Sequence, residues 1–195
     1  SHEADMAGEE DRRKGEGKAM RKPDRLTIEK LAVSAVLVLW WILMPAIGYD
    51  DCGSHGLGVG RVIMSHAVYM LSHANVWHLA GNLFVLWLLR HRLYLLPSVA
   101  IAFLCSWIPA FGLWPLGMTV GFSGVIFAVF GIKWGVYCRS FAEAGRLFER
   151  AAVEEFCMKA LPFALIGIII PHVNWCLHLC CILVGFLYGR DCLSR

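Results

Sequence analysis

Acidic residues are almost missing from the middle of this chain. Of 15 carboxylates in 195 residues, seven precede Leu26 and none lies between Asp51 and Glu143. A soluble domain needs solvated carboxylates over such a stretch, so their absence excludes an ordinary water-soluble fold. Charged residues make up 17% and apolar ones 58%, against roughly a quarter and a half in soluble domains. Clustered Lys/Arg are lacking as well. The basic residues are scattered, the net charge is only +3, and nucleic-acid binding is excluded on that ground. No H-E-x-x-H stretch occurs, and no metal or other cofactor is expected. The eight cysteines sit mostly in or beside apolar runs, where they serve more often as small hydrophobes than as disulfide partners. Cys52 alone is placed to reach an oxidising face, and it has no obvious mate.

What the chain does have is a regular series of apolar segments. Residues 1–26 precede them as an arm that mixes seven acids with seven bases up to Arg25 and has no apolar period. That is the composition of a disordered cytoplasmic arm rather than a signal peptide. Residues 27–192 then read as an all-α, polytopic membrane domain of six transmembrane helices. The apolar segments are Leu31 to Gly48, His73 to Leu89, Leu93 to Leu113, Leu116 to Cys138, Met158 to Pro171 and Val173 to Tyr188. A polar stretch with Gly56, Gly58 and Gly60 joins the first two, and a charged connector, Arg139 to Cys157, joins the fourth and fifth. The second, fifth and sixth segments fall short of the ~20 residues a spanning helix normally needs, which suits a locally thinned bilayer or a site open to water. Sixteen of the 18 Lys/Arg fall on one side of this arrangement, with Arg61 outside and Lys133 within the fourth segment. The bias places both termini in the cytoplasm; a bacterial inner membrane is the expected location.

Polar side chains inside a span are costly, and each is a functional candidate. His78 and Asn82 are four apart and share one helix face, a donor pair suited to a developing oxyanion or to gluing two helices together. Ser123 lies between glycines in Gly121-Phe-Ser123-Gly124, five to seven residues into its segment. It is either a nucleophile or a serine bonding back to the Thr119 carbonyl within a small-residue stripe of Gly124, Ala128, Gly131 and Gly135. His178, Cys181, Gly185 and Gly189 form a narrow face carrying one titratable group. With a rise of about 1.5 Å per residue, Ser123, His178 and the His78/Asn82 pair all fall roughly 6 to 12 Å below the outer surface. Helix-gluing residues have no reason to agree in depth. A nucleophile, its base and its oxyanion donors must.

At this point the chain resembles the rhomboid family of intramembrane serine proteases. His73, His78 and Asn82 keep the family's H-x-x-x-x-H-x-x-x-N, Gly121, Ser123 and Gly124 its G-x-S-G, and His178 with Gly185 most of its last-helix pattern. Cys181 stands where that last pattern has its first glycine, and the short first loop has no Trp-Arg pair. The resemblance implies a six-helix bundle with Ser123 as nucleophile and His178 as base. It also implies oxyanion contacts from His78, Asn82 and the Ser123 amide, and an aromatic, Phe127, against the base. The residues independently favour a dyad, because no carboxylate lies in spans two to six to orient His178. Transmembrane protein segments are the implied substrates and the lipid bilayer the implied surroundings. Two rivals come from other classes. One is a catalytically inactive rhomboid-like protein that binds membrane clients. The other is a metal or haem carrier built on His172, Cys176 and Cys180.

Overall fold

A computed structural model of the chain describes residues 24–49, 59–89, 92–108, 118–143, 162 and 173–193. Residues 1–23 of the expected arm, Cys52, the fifth apolar segment apart from Pro162, and His172 lie outside the described residues; residues 24–26, expected in the arm, instead form the cap and start of the first helix. Six helices are described: α1 (Arg25–Leu43), α2 (Val59–Val68), α3 (Val76–Leu88), α4 (Leu95–Cys105), α5 (Ser123–Glu143) and α6 (Trp175–Asp191). The described residues hold no strand, only an isolated antiparallel bridge between Tyr49 and Thr119.

Local chemistry sets the helix ends. Asp24 caps α1 by accepting from the Thr27 amide at 2.7 Å, so the helix starts six residues before the apolar run does. It stops at Leu43, before the run ends, because Met44 precedes Pro45 and is held extended at φ −120°, ψ 144°. Asn75 caps α3, its side-chain oxygen accepting from the His78 amide at 2.9 Å. The polar stretch after the first segment contains α2, which apolar periodicity over longer windows passes over. Of the described helices, α1 is long and apolar enough to cross a membrane, with a mean hydropathy of 1.9. α3 and α4 are shorter apolar helices.

α5 is the central rod. Every residue from Gly124 to Lys133 is buried, the signature of a helix surrounded on all sides. α6 packs along it, and α4 touches both. The close approach of α5 and α6 depends on glycines: a Cβ at Gly131 would run into the Ile182 carbonyl, and one at Gly189 into the Ile132 carbonyl. The small-residue stripe is therefore structural. α1 meets α3 through a Lys30, Val33, Leu37 face. Lys30 Nζ donates to the Trp87 and Leu89 carbonyls, groups that a helix C-terminus leaves without intrahelical partners. Away from these contacts the outer faces are apolar, with Leu43 72%, Trp77 81% and Leu96 81% exposed. Water is a poor solvent for such faces, and lipid a good one.

Candidate active site

Ser123 is the first residue of α5, not a residue several positions into it. The chain before it is extended. Thr119 exchanges backbone hydrogen bonds with Tyr49, at 3.3 Å and 2.8 Å, and the Gly121 amide donates to the Tyr69 carbonyl at 2.9 Å. Gly121 has φ +122°, a conformation that disfavours any side chain. A Cβ there would also stand 2.7 Å from His78 Cε1 and Nε2 and 3.5 Å from Asn82 Nδ2. The imidazole and the carboxamide thus press directly on the backbone two residues ahead of Ser123. The helix start puts the positive end of its dipole at the serine, and the Val125 amide of the first turn reaches back to the Phe122 carbonyl at 3.1 Å.

Ser123 Oγ is 2.8 Å from His178 Nε2 on α6. The His178 ring stacks on Phe127, one turn along α5 from Ser123, with centroids 4.3 Å apart and planes inclined by 29°. His178 Nδ1 is buried and has no hydrogen-bond partner among the described residues. The reading of Ser123 as a serine bonded back to Thr119 does not fit: its hydroxyl meets the imidazole, and the Thr119 carbonyl accepts from the Tyr49 amide.

Asn82 is 3% exposed, and its Nδ2 has no partner among the described residues. A buried amide donor left unpaired is costly, and this one can donate to an acceptor brought into the site. His73 lies one ring behind His78, edge-on with centroids 5.2 Å apart. His73 Nδ1 contacts the Leu71 carbonyl at 3.2 Å; a carbonyl can only accept, so Nδ1 carries the proton. Gly124 faces the Tyr69 hydroxyl, at 3.0 Å from where a Cβ would stand. The structure therefore gathers Ser123, His178, Phe127, His78, Asn82, His73, Gly121 and Gly124 around the start of α5.

Asn174 is the residue that sequence reasoning missed. Its Oδ1 accepts from the Leu177 amide at 3.0 Å, capping α6. Its Nδ2 donates to Thr119 Oγ1 at 3.2 Å and to the Tyr49 hydroxyl at 3.4 Å. One side chain thereby ties the start of the histidine helix to the extended segment that leads into the serine. An Asn just ahead of a helical run is a start signal; its second partner, 55 residues away, is not visible in sequence. Tyr69 is the other omission. It is fully buried, and its hydroxyl donates to the Ala102 carbonyl at 3.0 Å. Among the described residues, no group of three or more His, Cys, Asp or Glu is arranged to hold a metal ion.

The family model of the Rhomboid domain matches residues 61–195, more than half of the chain. No curated protein matches it.

Proposed function

The chain belongs to the rhomboid family, and we propose that it is an intramembrane serine endopeptidase acting through a Ser123–His178 dyad. The observation that carries this reading is the 2.8 Å contact between Ser123 Oγ and His178 Nε2, made between two helices whose backbones touch. A substrate helix unwinds near the outer leaflet and presents a peptide carbonyl to Ser123. His178, neutral, accepts the hydroxyl proton as Oγ attacks and returns it to the leaving amine. Negative charge then develops on the carbonyl oxygen beside the start of α5. The Ser123 amide, Asn82 Nδ2 and the His78 imidazole are the donors for it, and their positions are fixed before substrate arrives. Phe127 holds the base by stacking, in place of the carboxylate a triad would use. Gly121 lets the donors come close enough to serve.

The surroundings of the site follow the same reading. The exposed apolar faces of α1, α3 and α4 meet lipid, and the segments bury a six-span bundle in a bacterial inner membrane. The Lys/Arg bias supports both ends of that bundle facing the cytoplasm. Substrates are transmembrane segments of other proteins. The rival client-binding reading expects the serine or the histidine to be lost, whereas both are present and bonded. The test is cleavage of a transmembrane reporter substrate in membranes. The unmodified chain should cut it, and Ser123→Ala, expressed to the same level, should not. Equal cleavage by the Ser123→Ala chain would place the nucleophile elsewhere.

A further inference from the structure

The extended segment that leads into Ser123 is held by two stretches of chain distant from it in sequence. Residues 47–49, which follow α1, hold it at Thr119. There Tyr49 exchanges backbone hydrogen bonds with it at 3.3 Å and 2.8 Å, and a Cβ at Gly48 would run into the Thr119 carbonyl. The turn at residues 69–72, which follows α2, holds it at Gly121, whose amide donates to the Tyr69 carbonyl at 2.9 Å. The rings of Tyr49 and Tyr69 meet edge-on, with centroids 5.0 Å apart. One hydroxyl joins the two stretches. Ser72 Oγ receives the Ile47 amide at 3.0 Å and Trp40 Nε1 at 3.2 Å; both groups can only donate, so the oxygen accepts from both. Ser72 is 1% exposed, and its own amide donates at 3.1 Å to the Tyr69 carbonyl that also receives Gly121. The residue after it is His73, whose ring lies edge-on to His78, and Asn75 then caps α3.

We propose that Ser72 is a positioning residue for the oxyanion donors. Its hydroxyl locks the stretch after α1 to the turn before α3. The first stretch holds the approach to Ser123, and the second carries the start of the helix bearing His78 and Asn82. With the lock closed, the two donors keep their place against Gly121, where the fit leaves no room for a side chain. With it open, the turn and the approach to Ser123 can slide past each other, and the donors lose aim at the developing charge. A misplacement of about 1 Å can cost about 10²-fold in rate. The role exists only if Ser123 is the nucleophile of a protease, as proposed above. Ser72 itself touches neither substrate nor reacting atoms.

The full chain in detergent micelles is given a transmembrane reporter substrate, and kcat, KM and the thermal midpoint are measured. The variants are Ser72→Ala, Asn82→Ala and the two combined. Ser72→Ala should lower kcat by about 10- to 10²-fold with KM little changed, as when an interaction made only in the transition state is lost. Substitutions that share no partner combine additively in free energy, to within about twofold in rate. A serine that only stabilised the fold would therefore lower kcat by the same factor with Asn82 present or absent. A positioning role shrinks the factor to about twofold in the Asn82→Ala chain, while the shift in thermal midpoint stays the same. Trp40→Phe withdraws one donor and leaves none unpaired, so it should act in the same direction by less. Put through the same cycle, it decides the matter if Ser72→Ala does not fold. An unchanged kcat, or equal factors with and without Asn82, would overturn the proposal and leave Ser123 as nucleophile untouched. Failure of the unsubstituted chain to cleave would instead sink the protease reading, and this proposal with it.

Discussion

Helices α5 and α6 touch backbone to backbone, whereas α3 is moored by side chains. Along the α5–α6 seam, Gly131, Gly135, Gly185 and Gly189 each face a main-chain atom of the other helix. α3 is held to α1 by the Lys30 ammonium at its C-terminal carbonyls and by Trp87 Nε1 donating to Ser34 Oγ at 3.1 Å. The outer face of α3 carries Trp77 and Phe84, 81% and 64% exposed. The proposed nucleophile and base ride on the tight pair, and the proposed oxyanion donors on the looser helix. A proton transfer needs its two heavy atoms held close at all times. The donors on α3 are held instead by the side-chain ties at its ends and by the close fit of His78 and Asn82 against Gly121.

Substitutions can break this comparison from either side. The largest effect is expected in the seam. Gly131→Val or Gly189→Val drives a branched side chain into a carbonyl of the facing helix, an overpacking that costs ~1–3 kcal/mol or more. Thermal unfolding should shift down and cleavage should fall with it; an unchanged midpoint in both variants would show that the backbones do not touch. On the looser helix the two readouts should separate. Asn82→Ala removes a donor that has no partner among the described residues, so turnover should drop by about 10²–10³-fold while the thermal midpoint holds. If stability collapsed along with turnover, Asn82 would be a packing residue.

Asn174 sharpens the comparison at the point where the tight pair begins. Asn174→Ala deletes the α6 cap, the tie to Thr119 in the extended segment before Ser123 and the tie to the Tyr49 hydroxyl. A loss of ~0.5–2 kcal/mol is expected from the cap, with reduced turnover because Ser123 and His178 lose their common anchor. Asn174→Asp restores the cap but not the donated bonds, so it should recover stability more than turnover. Equal recovery of both would leave the tie to Thr119 without a role.

Much of this arrangement was legible in the sequence, and the rest was not for identifiable reasons. The acid-free middle and the spaced apolar runs announced an all-helical chain, and the three short motifs in order announced its family. The i,i+4 spacing of His78 and Asn82 placed them on one face because helical geometry is local. The expectation of Phe127 against the base came instead from the family resemblance, and its ring stacks on His178. Helix starts were harder to read. Apolar periodicity cannot tell an extended apolar strand from a helical turn, so Ser123 was expected well inside a helix that begins with it. α2 is short and lies in a glycine-bearing loop, and His66 on it is held entirely by non-local contacts. Its ring stacks between Tyr49 and Trp107, at 4.4 Å and 4.0 Å, and contacts Ser106 Oγ at 2.9 Å. No sequence window contains those partners.

That histidine supplies the smallest expected effect, in a region outside both helix pairs. Burial holds the His66 imidazole below its ordinary value of 6.5. The unfolded chain takes up a proton near that value while the folded one does not. Stability present above it is therefore lost as pH falls below it. The thermal midpoint should decline between about pH 7 and about pH 5, and His66→Phe, which keeps the stacking, should flatten the decline. An identical slope in the variant would mean that other groups carry it.

The account rests on the Ser123 hydroxyl being activated by the imidazole it touches. Reaction of the folded chain with a fluorophosphonate, read by peptide mass, tests that contact most directly. An adduct on Ser123 that disappears in His178→Ala, with the fold retained, is the predicted result. No adduct on Ser123, or one formed equally without His178, would contradict it.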